Sequence, residues 1–167
     1  MFHIVLFQPE IPPNTGNVIR LCANTGCTLH LVKPLGFELT RKAVRRAGLD
    51  YRELARLSVH ASFADCLEAL AGARLFSVET SGTRRYSAAH FRPGDALLFG
   101  PETRGLPPYA LAAIAQARQL SIPMRAGNRS LNLANAVALV VYEAWRQNRF
   151  AGAAPPAARS RVAVAHQ

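Results

Sequence analysis

Short apolar segments with the composition of β-strands alternate along the chain with segments of helical periodicity, and this alternation narrows the possible folds most. The predicted strands cover residues 2–7, 28–32, 74–78, 96–99 and 119–122. One predicted helix begins after the cap-forming residues 14–16, and the others cover 40–47, 62–71, 108–117 and 130–149. Strands separated by helices of this length are typical of βαβ units. The sequence therefore predicts an α/β fold with a mostly parallel sheet and helices on both faces.

The chain of 167 residues has the length of one domain with a full hydrophobic core. Half of its residues are hydrophobic and 18% are charged, which is typical of a packed globular protein. From Ala151 onward the sequence is rich in Ala, Gly and Pro and lacks periodicity. We therefore expect a single domain over residues 1–150 and a disordered tail over residues 151–167.

The charge of the chain is strongly basic, with 20 Lys plus Arg against 10 Asp plus Glu and a net charge of +10. Lys33 and Lys42 are the only lysines, so nearly all of the cations are arginine. Arginine suits phosphate groups because its planar guanidinium binds them through two hydrogen bonds. A polyanionic partner and the codon bias of a GC-rich genome both account for this composition.

The sequence lacks the signals that are typical of secreted, membrane-spanning and metal-binding proteins. The first ten residues contain no basic leader, and no apolar segment approaches the ~20 residues that cross a bilayer. These features predict a cytoplasmic protein without a membrane partner. The cysteines and histidines lack the spacing of metal-binding motifs, so no metal site is predicted. Their positions are Cys22, Cys27, Cys66, His3, His30, His60, His90 and His166.

The predicted helix over residues 130–149 is apolar on nearly every side. Leu133 and Val137 point in one direction, Ala138 and Tyr142 in another, and Leu139 in a third. Such a helix is buried on more than one side. It is either the central core helix of a monomer or a helix that also packs against a second subunit.

Chemically informative residues concentrate in three loops, each of which follows a predicted strand. This is where open α/β sheets bind ligands. The first loop, residues 14–20, presents Asn14 and Arg20 to the expected cleft, although its Asn and Gly residues also suit a helix cap. In the second, residues 97–107, Glu102 and Arg104 are either a surface ion pair or functional groups. The third, residues 121–132, places Ser130 as the expected N-cap of the long helix.

Two further features of these loops refine the predictions. The glycines of the second loop do not match the spacing of a Walker loop or of G-x-G-x-x-G, which argues against a triphosphate or dinucleotide cradle. In the third loop, Asn132 and Asn135 lie in the first turns of a highly apolar helix. Their amides therefore need hydrogen-bond partners from elsewhere in the fold.

Taken together and in this order, the three loops resemble the motifs of the SPOUT superfamily of α/β-knot RNA methyltransferases. The matching residues are Asn14-x-Gly16-Asn17-x-x-Arg20, Phe99-Gly100-Pro101-Glu102-x-x-Gly105-Leu106, and Ile122-Pro123-Met124 followed by Ser130-Leu131-Asn132. Residues 7–14 and 46–51 resemble the subgroup of small tRNA 2′-O-methyltransferases of the TrmL or YibK type. The likeness covers residues 2–149.

The resemblance implies a fold, a cofactor and an assembly. The fold is a SPOUT domain with a C-terminal deep trefoil knot, and the assembly is a homodimer formed through the C-terminal helix. The cofactor is S-adenosylmethionine. The positions that match cofactor-binding residues of the family are Val78, Gly100, Gly105, Ile122, Ser130 and Leu131.

The resemblance also implies a reaction, which is 2′-O-methylation of the wobble nucleotide, C34 or a modified U34, in leucine tRNAs. The positions that match the family's catalytic set are Asn14, Arg20, Glu102, Ser130 and Asn132. Methylation of another tRNA or rRNA site and a non-catalytic RNA-binding role are the alternatives.

Contact with tRNA is expected from arginines and one aromatic residue. Arg125 and Arg129 flank the predicted pocket, whereas Arg41, Arg45 and Arg46 form the densest basic cluster together with Lys42. Each group is also compatible with a solvated face. Tyr142 either stacks on a base or packs in the dimer interface.

Overall fold

The computed structural model of the protein describes residues 1–39 and 56–155. The strands in these ranges are β1 (His3–Phe7), β2 (Thr28–Val32), β3 (Leu57–His60), β4 (Leu75–Val78), β5 (Arg84–Arg85), β6 (Ala96–Phe99) and β7 (Gln119–Ser121). The α-helices are α1 (Pro12–Thr25), α2 (Phe63–Ala69), α3 (Pro108–Ala112) and α4 (Leu133–Gln147). Short 3-10 helices cover Tyr86–Ala88 and Gln116–Arg118.

The strands form one seven-stranded sheet in the order β3-β2-β1-β6-β4-β7-β5. Each of its strand pairs is parallel. The central strand β1 runs beside β2 and β6, with Leu6 opposite Leu31 on one side and Phe99 on the other. All four residues of β6 are buried, as expected for a strand that is covered on both faces.

Helices cover the two faces of the sheet. On one face, α1 and α4 pack against alternate residues of β1, including Ile4 and Leu6. On the other face, α2 and α3 pack against Val5 and Phe7. Full burial of a side chain of this size stabilises the fold by about 2 kcal/mol. The predicted α/β fold with helices on both faces is therefore confirmed, whereas the trefoil knot stays a prediction.

The element boundaries differ from the predictions at several positions. Helix α1 begins at Pro12, so residues 14–16 lie within its first turns rather than before it. Proline at the first helical positions costs no hydrogen bond, because those N–H groups have no partner within the helix. Helix α3 ends at Ala112, well short of residue 117. Strands β3 and β5 were not predicted, because both are short and largely polar. The predicted helix over residues 40–47 lies outside the described residues.

Helix α4 is capped by a different residue than expected. Its N-cap is Asn132, whose Oδ1 accepts a hydrogen bond from the N–H of Asn135 at 3.3 Å. The prediction of Ser130 as the N-cap is therefore wrong. The helix buries Val137, Val140 and its other core-facing residues. Leu139 and Tyr142 are exposed on its outer side, at 44% and 47%.

The described chain ends beyond α4 in exposed residues 151–155. The backbone carbonyl of Ala151 accepts a hydrogen bond from the indole Nε1 of Trp145 at 3.0 Å. The rest of the predicted disordered tail lies outside the described residues. None of the helices that the structure describes has the length and apolarity to cross a membrane.

Candidate active site

A cleft with a volume of about 700 Å³ lies beyond the carboxyl ends of β4, β6 and β7, bordered by the first turns of α1 and α4. This volume is within the roughly 300–1,000 Å³ range of small-molecule sites. The position is the one at which parallel α/β sheets bind ligands. All three loops singled out in the sequence contribute to its walls.

The Glu102 carboxylate connects the second loop to the start of α1. Its Oε2 accepts from the backbone N–H of Glu10 at 2.8 Å, and its Oε1 accepts from the N–H of Ile11 at 3.2 Å. Oε1 also accepts from the side-chain amide of Asn14 at 3.0 Å. Ile11 is the N-cap of α1 and has no capping side chain of its own. Glu102 therefore supplies from another loop the acceptor, and the negative charge, that a helix N-terminus favours.

Asn14 extends this connection to the third loop. It is 5% exposed, and its Oδ1 accepts a hydrogen bond from Nδ2 of Asn132 at 2.8 Å. Asn132 in turn caps α4. The predicted need of Asn132 for a partner is confirmed. Glu102, Asn14 and Asn132 thus form a continuous hydrogen-bonded network, which we call the Glu–Asn network, across three segments that are remote in sequence.

A second set of contacts fastens the loop after β6 to the segment before α1. The Glu10 carboxylate accepts from the Thr103 N–H at 3.0 Å and from its hydroxyl, and Gln8 Oε1 accepts from Arg104 Nη2 at 3.0 Å. In the described residues Arg104 forms no salt bridge with Glu102. The ion-pair interpretation of these two residues is therefore wrong, and each has its own partner.

A third carboxylate, Glu79, follows β4 directly and lines the cleft. Its Oε1 accepts from the N–H of Leu106 at 3.0 Å, and Gly100 also donates a backbone hydrogen bond to the carboxylate. Burial raises the pKa of the Glu79 carboxyl above its usual range, while these two N–H groups oppose the rise. A carboxylate that accepts two backbone hydrogen bonds therefore lines the cleft.

Residues 1–142 match the model of the SpoU rRNA Methylase family. A relative from Methylovorus glucosotrophus, named tRNA (cytidine(34)-2'-O)-methyltransferase, is 57% identical over 92% of this chain and 99% of its own length. The chain belongs to the SpoU rRNA Methylase family. This membership confirms the resemblance on which the site predictions rest.

Solved structures of SpoU family members and related proteins have the same fold. One, described as "Structural insights into the 2-OH methylation of C/U34 on tRNA", has a TM-score of 0.82 and 52% identity over 90% of this chain and 97% of its own. The SpoU methyltransferase AviRb from Streptomyces viridochromogenes, in complex with the cofactor AdoMet, has a TM-score of 0.73 and 28% identity. That match covers 90% of this chain and 58% of the AviRb chain.

Most of the predicted site residues line the cleft of this SpoU family member. They are Asn14, Val78, Gly100, Glu102, Gly105, Ile122, Arg129, Ser130, Leu131 and Asn132. Arg20 is exposed on α1 and is not part of the lining. Six residues of α-helix rotate a side chain by about 240° relative to its starting direction, which separates Arg20 from the buried Asn14.

The remaining predicted RNA contacts lie elsewhere. Arg125 is exposed beside the cleft without lining it, and Tyr142 lies on the outer face of α4. Its ring contacts that of Trp145 edge to face, with the centroids 5.7 Å apart. Arg41, Arg45 and Arg46 lie outside the described residues.

Sequence reasoning missed Glu79, Glu10 and Thr103. Glu79 gave one usable signal, because an acidic residue directly after a buried strand lies at the end of the sheet where ligands bind. The contact of Glu10 with Thr103 joins residues 93 positions apart and left no local pattern.

The cleft fits S-adenosylmethionine by its chemistry. The lining includes the apolar side chains of Val78, Ile122 and Leu133, which suit an adenine ring. The acidic side chains in the lining are Glu79 and Glu102, and their negative charge gives the cleft a potential that favours a cationic ligand. The cofactor positions implied by the resemblance therefore form a site of the right size and polarity.

The structure also gathers histidines that are far apart in the sequence. His3 Nδ1 lies 3.1 Å from His30 Nε2, and His30 Nδ1 lies 3.0 Å from His60 Nε2. We call these residues the histidine row. Ligand atoms of His30, His60 and Cys66 lie within 4.8 Å of one another, so sequence spacing was a poor guide to their separation. The predicted absence of a metal site stays a prediction.

Proposed function

We propose that the protein transfers a methyl group from S-adenosylmethionine to the ribose 2′-oxygen of nucleotide 34 in tRNA. The observation that carries this proposal is the Glu–Asn network, which joins all three family motifs at the edge of the cleft. The name of the Methylovorus relative and the structure described for C/U34 methylation support the choice of nucleotide. Leucine tRNAs are the substrates implied by the subgroup resemblance.

S-adenosylmethionine, when bound, supplies a methyl group activated by a positive sulfur. Val78, Gly100, Gly105, Ile122, Ser130 and Leu131 hold it in this proposal. The AdoMet complex of AviRb supports this choice of cofactor.

The chain's own groups act mainly on the ribose and on its hydroxyl proton. Arginine stays protonated in proteins and is therefore a poor base. We assign Arg20 the binding of the neighbouring phosphate and the stabilisation of the developing alkoxide. Asn14, Ser130 and Asn132 orient the ribose and the cofactor. Glu102 holds Asn14 and the start of α1 in place.

Contact with the rest of the tRNA falls to arginines around the cleft. Arg129 lines the cleft and Arg125 lies in the same exposed loop. Arg41, Arg45 and Arg46, which lie outside the described residues, are further candidates because of their charge. The net charge of +10 supports this assignment, because a basic protein attracts a polyanion such as tRNA. A tRNA substrate implies a cytoplasmic location.

A homodimer formed through α4 is part of the proposal. The helix packs its inner side into the core but leaves Leu139 and Tyr142 exposed. Large apolar side chains that are adjacent on one helix face are typical of an interface. In a dimer, Tyr142 packs between subunits rather than against a base. The second subunit then lies beside α4, whose first residues border the cleft.

The deciding experiment is incubation of the purified protein with methyl-labelled S-adenosylmethionine and total tRNA. Ribose-methylated nucleotides are then mapped by partial alkaline hydrolysis, which 2′-O-methylation blocks. We expect one protected position, nucleotide 34. A protected position elsewhere in tRNA or in rRNA selects the alternative substrate. Absence of incorporation into any RNA selects the non-catalytic RNA-binding role.

A further inference from the structure

We propose that Glu79 is a positioning residue that fixes the shape of the turn over residues 100–106, and through it the affinity for the cofactor. The inference rests on the proposed function, because it concerns the same cleft. Glu79 is outside the residues that the family resemblance assigns to this site.

The first observation is how the carboxylate is held. Glu79 accepts backbone hydrogen bonds from Leu106 and from Gly100, which lie at the two ends of the turn. Salt bridges in the described residues involve the other carboxylates Asp95 and Glu143. A half-buried carboxylate whose hydrogen bonds run to both ends of one turn ties those ends together.

The second observation is the lack of room around the carboxylate. A Cβ on Gly105 would lie 2.7 Å from Glu79 Oε2, and Gly105 has a φ of +68°, a conformation that favours glycine. A Cβ on Gly100 would lie 2.6 Å from Glu79 Oε1 and equally close to the backbone of Gly105 and Leu106. Turn and carboxylate therefore pack directly against each other, and neither glycine tolerates a side chain.

The third observation links the turn to the rest of the site. The Gly105 N–H donates to the Pro101 carbonyl at 3.1 Å, which closes the turn around Glu102. Leu106 anchors the far end in the core. Without the Glu79 carboxylate, the turn is therefore held less tightly at both ends. The same turn carries Glu102, the carboxylate of the Glu–Asn network.

The test compares two variants at position 79 and a control variant with the wild type, by calorimetric titration with S-adenosylmethionine and by steady-state kinetics. Glu79→Ala removes both acceptor oxygens, and we expect the dissociation constant and the cofactor KM to rise about tenfold, with a smaller change in kcat. Glu79→Gln keeps a carbonyl oxygen for the N–H groups of Leu106 and Gly100, and we expect it to restore most of the affinity. Glu68→Ala, on the exposed side of α2, is the matched control.

A double-mutant cycle tests the contact without the cofactor. Gly105→Ala clashes with the carboxylate, so it should raise the unfolding equilibrium constant less in the Glu79→Ala background than in the wild type. Gly100→Ala clashes with backbone as well, and its damage should persist in that background. Strict additivity in the Gly105 cycle would overturn the proposed packing.

The outcomes separate this inference from the proposed function. If wild-type protein binds S-adenosylmethionine and Glu79→Ala binds it equally well, the positioning role is wrong while the proposed cofactor stands. If Glu79→Gln loses as much affinity as Glu79→Ala, the charge contacts the ligand directly and positioning is again wrong. If the wild type binds no S-adenosylmethionine, the proposed function fails, and the unfolding cycle still decides whether Glu79 shapes the turn.

Discussion

Two hydrogen-bonded networks of polar side chains, the Glu–Asn network and the histidine row, differ in position and in charge. The Glu–Asn network joins the start of α1, the loop after β6 and the N-cap of α4, beside an open cleft. The histidine row crosses β1, β2 and β3 on the opposite face of the sheet, the face that packs against α2. Polar groups form hydrogen bonds in both, but the Glu–Asn network lines the cleft of about 700 Å³ with all three of its residues, whereas the histidine row meets a smaller cavity of about 390 Å³ through His3.

The central imidazole of the histidine row is uncharged at neutral pH. Burial, together with the neighbouring His3 and His60, lowers the pKa of His30 to about 4. Burial also raises the pKa of the Cys66 thiol to about 11, so imidazole and thiol are both neutral at pH 7. A hydrogen-bonded network of remote residues that ends at a cleft is therefore a candidate for function, and one that lies between neighbouring strands is a candidate for stability.

The largest expected effect on methyl transfer comes from Arg20, a residue that belongs to neither network. Arg20→Ala should abolish methyl transfer, by about 10³-fold or more, because the proposed phosphate contact and alkoxide stabilisation are lost. Cofactor binding should stay nearly intact, because Arg20 lies outside the cleft lining. Single-turnover incorporation and calorimetric titration measure the two quantities. Arg92→Ala is the control, an exposed arginine near the opposite ends of the strands. Turnover like that of the wild type would refute the assignment of Arg20.

Breaking the Glu–Asn network should have the next largest effect on methyl transfer. Glu102→Ala removes the acceptor of three donors, the N–H groups of Glu10 and Ile11 and the amide of Asn14. We expect methyl transfer to fall about 100-fold, because the freed Asn14 amide and the first turn of α1 lose their positions. Circular dichroism checks that the variant folds. An active Glu102→Ala protein would show that the network is structural, like the histidine row.

The proposed dimer places a second subunit beside the Glu–Asn network and away from the histidine row. Leu139→Glu introduces a charge on the exposed side of α4 and should weaken self-association at least about 100-fold, as measured by sedimentation equilibrium. The unfolding midpoint of the separated subunit should still respond to pH through His30. Glu68→Ala serves as the surface control. A Leu139→Glu protein that sediments like the wild type would exclude this face as the interface.

The histidine row should affect stability rather than catalysis. Because the pKa of His30 is lower in the folded protein than its ordinary value of 6.5, the unfolded chain binds the proton more tightly. Stability is therefore complete above pH 6.5 and declines as the pH falls toward about 4, by roughly 2 kcal/mol. His30→Leu should flatten this decline in urea titrations and leave methyl transfer near the wild-type level. His90→Leu, at an exposed position, should keep the decline.

The smallest expected effect concerns the rim of the cleft. Arg129→Ala should raise the KM for tRNA a few fold and make binding less salt-dependent, because one phosphate contact is lost. The cofactor KM should not change. Filter binding at several salt concentrations measures the slope. An unchanged slope would assign Arg129 to the cofactor or to solvent.

Much of the site was predictable because it consists of short motifs that follow strands. Val78, Gly100 and Ile122 lie at or just beyond strand ends that hydrophobic patterning located well. The cap of α4 was misplaced by two residues, because Ser130 and Asn132 are both good N-cap residues and only the partnership with Asn14 favours the second. The local sequence could not predict that Glu102 caps α1, since Glu102 lies 91 positions from Ile11.

The sequence by itself determined the parallel α/β class, the family and ten of the 24 residues that line the cleft. These follow from patterns that span a few residues, where local propensity and apolar periodicity act. Tertiary structure alone decided which polar side chains meet: Asn14 with Asn132, Glu10 with Thr103, Glu79 with both ends of its turn, and the three histidines with one another. Hydrogen bonds depend on distances of about 3 Å, and the order of strands in the sheet sets those distances.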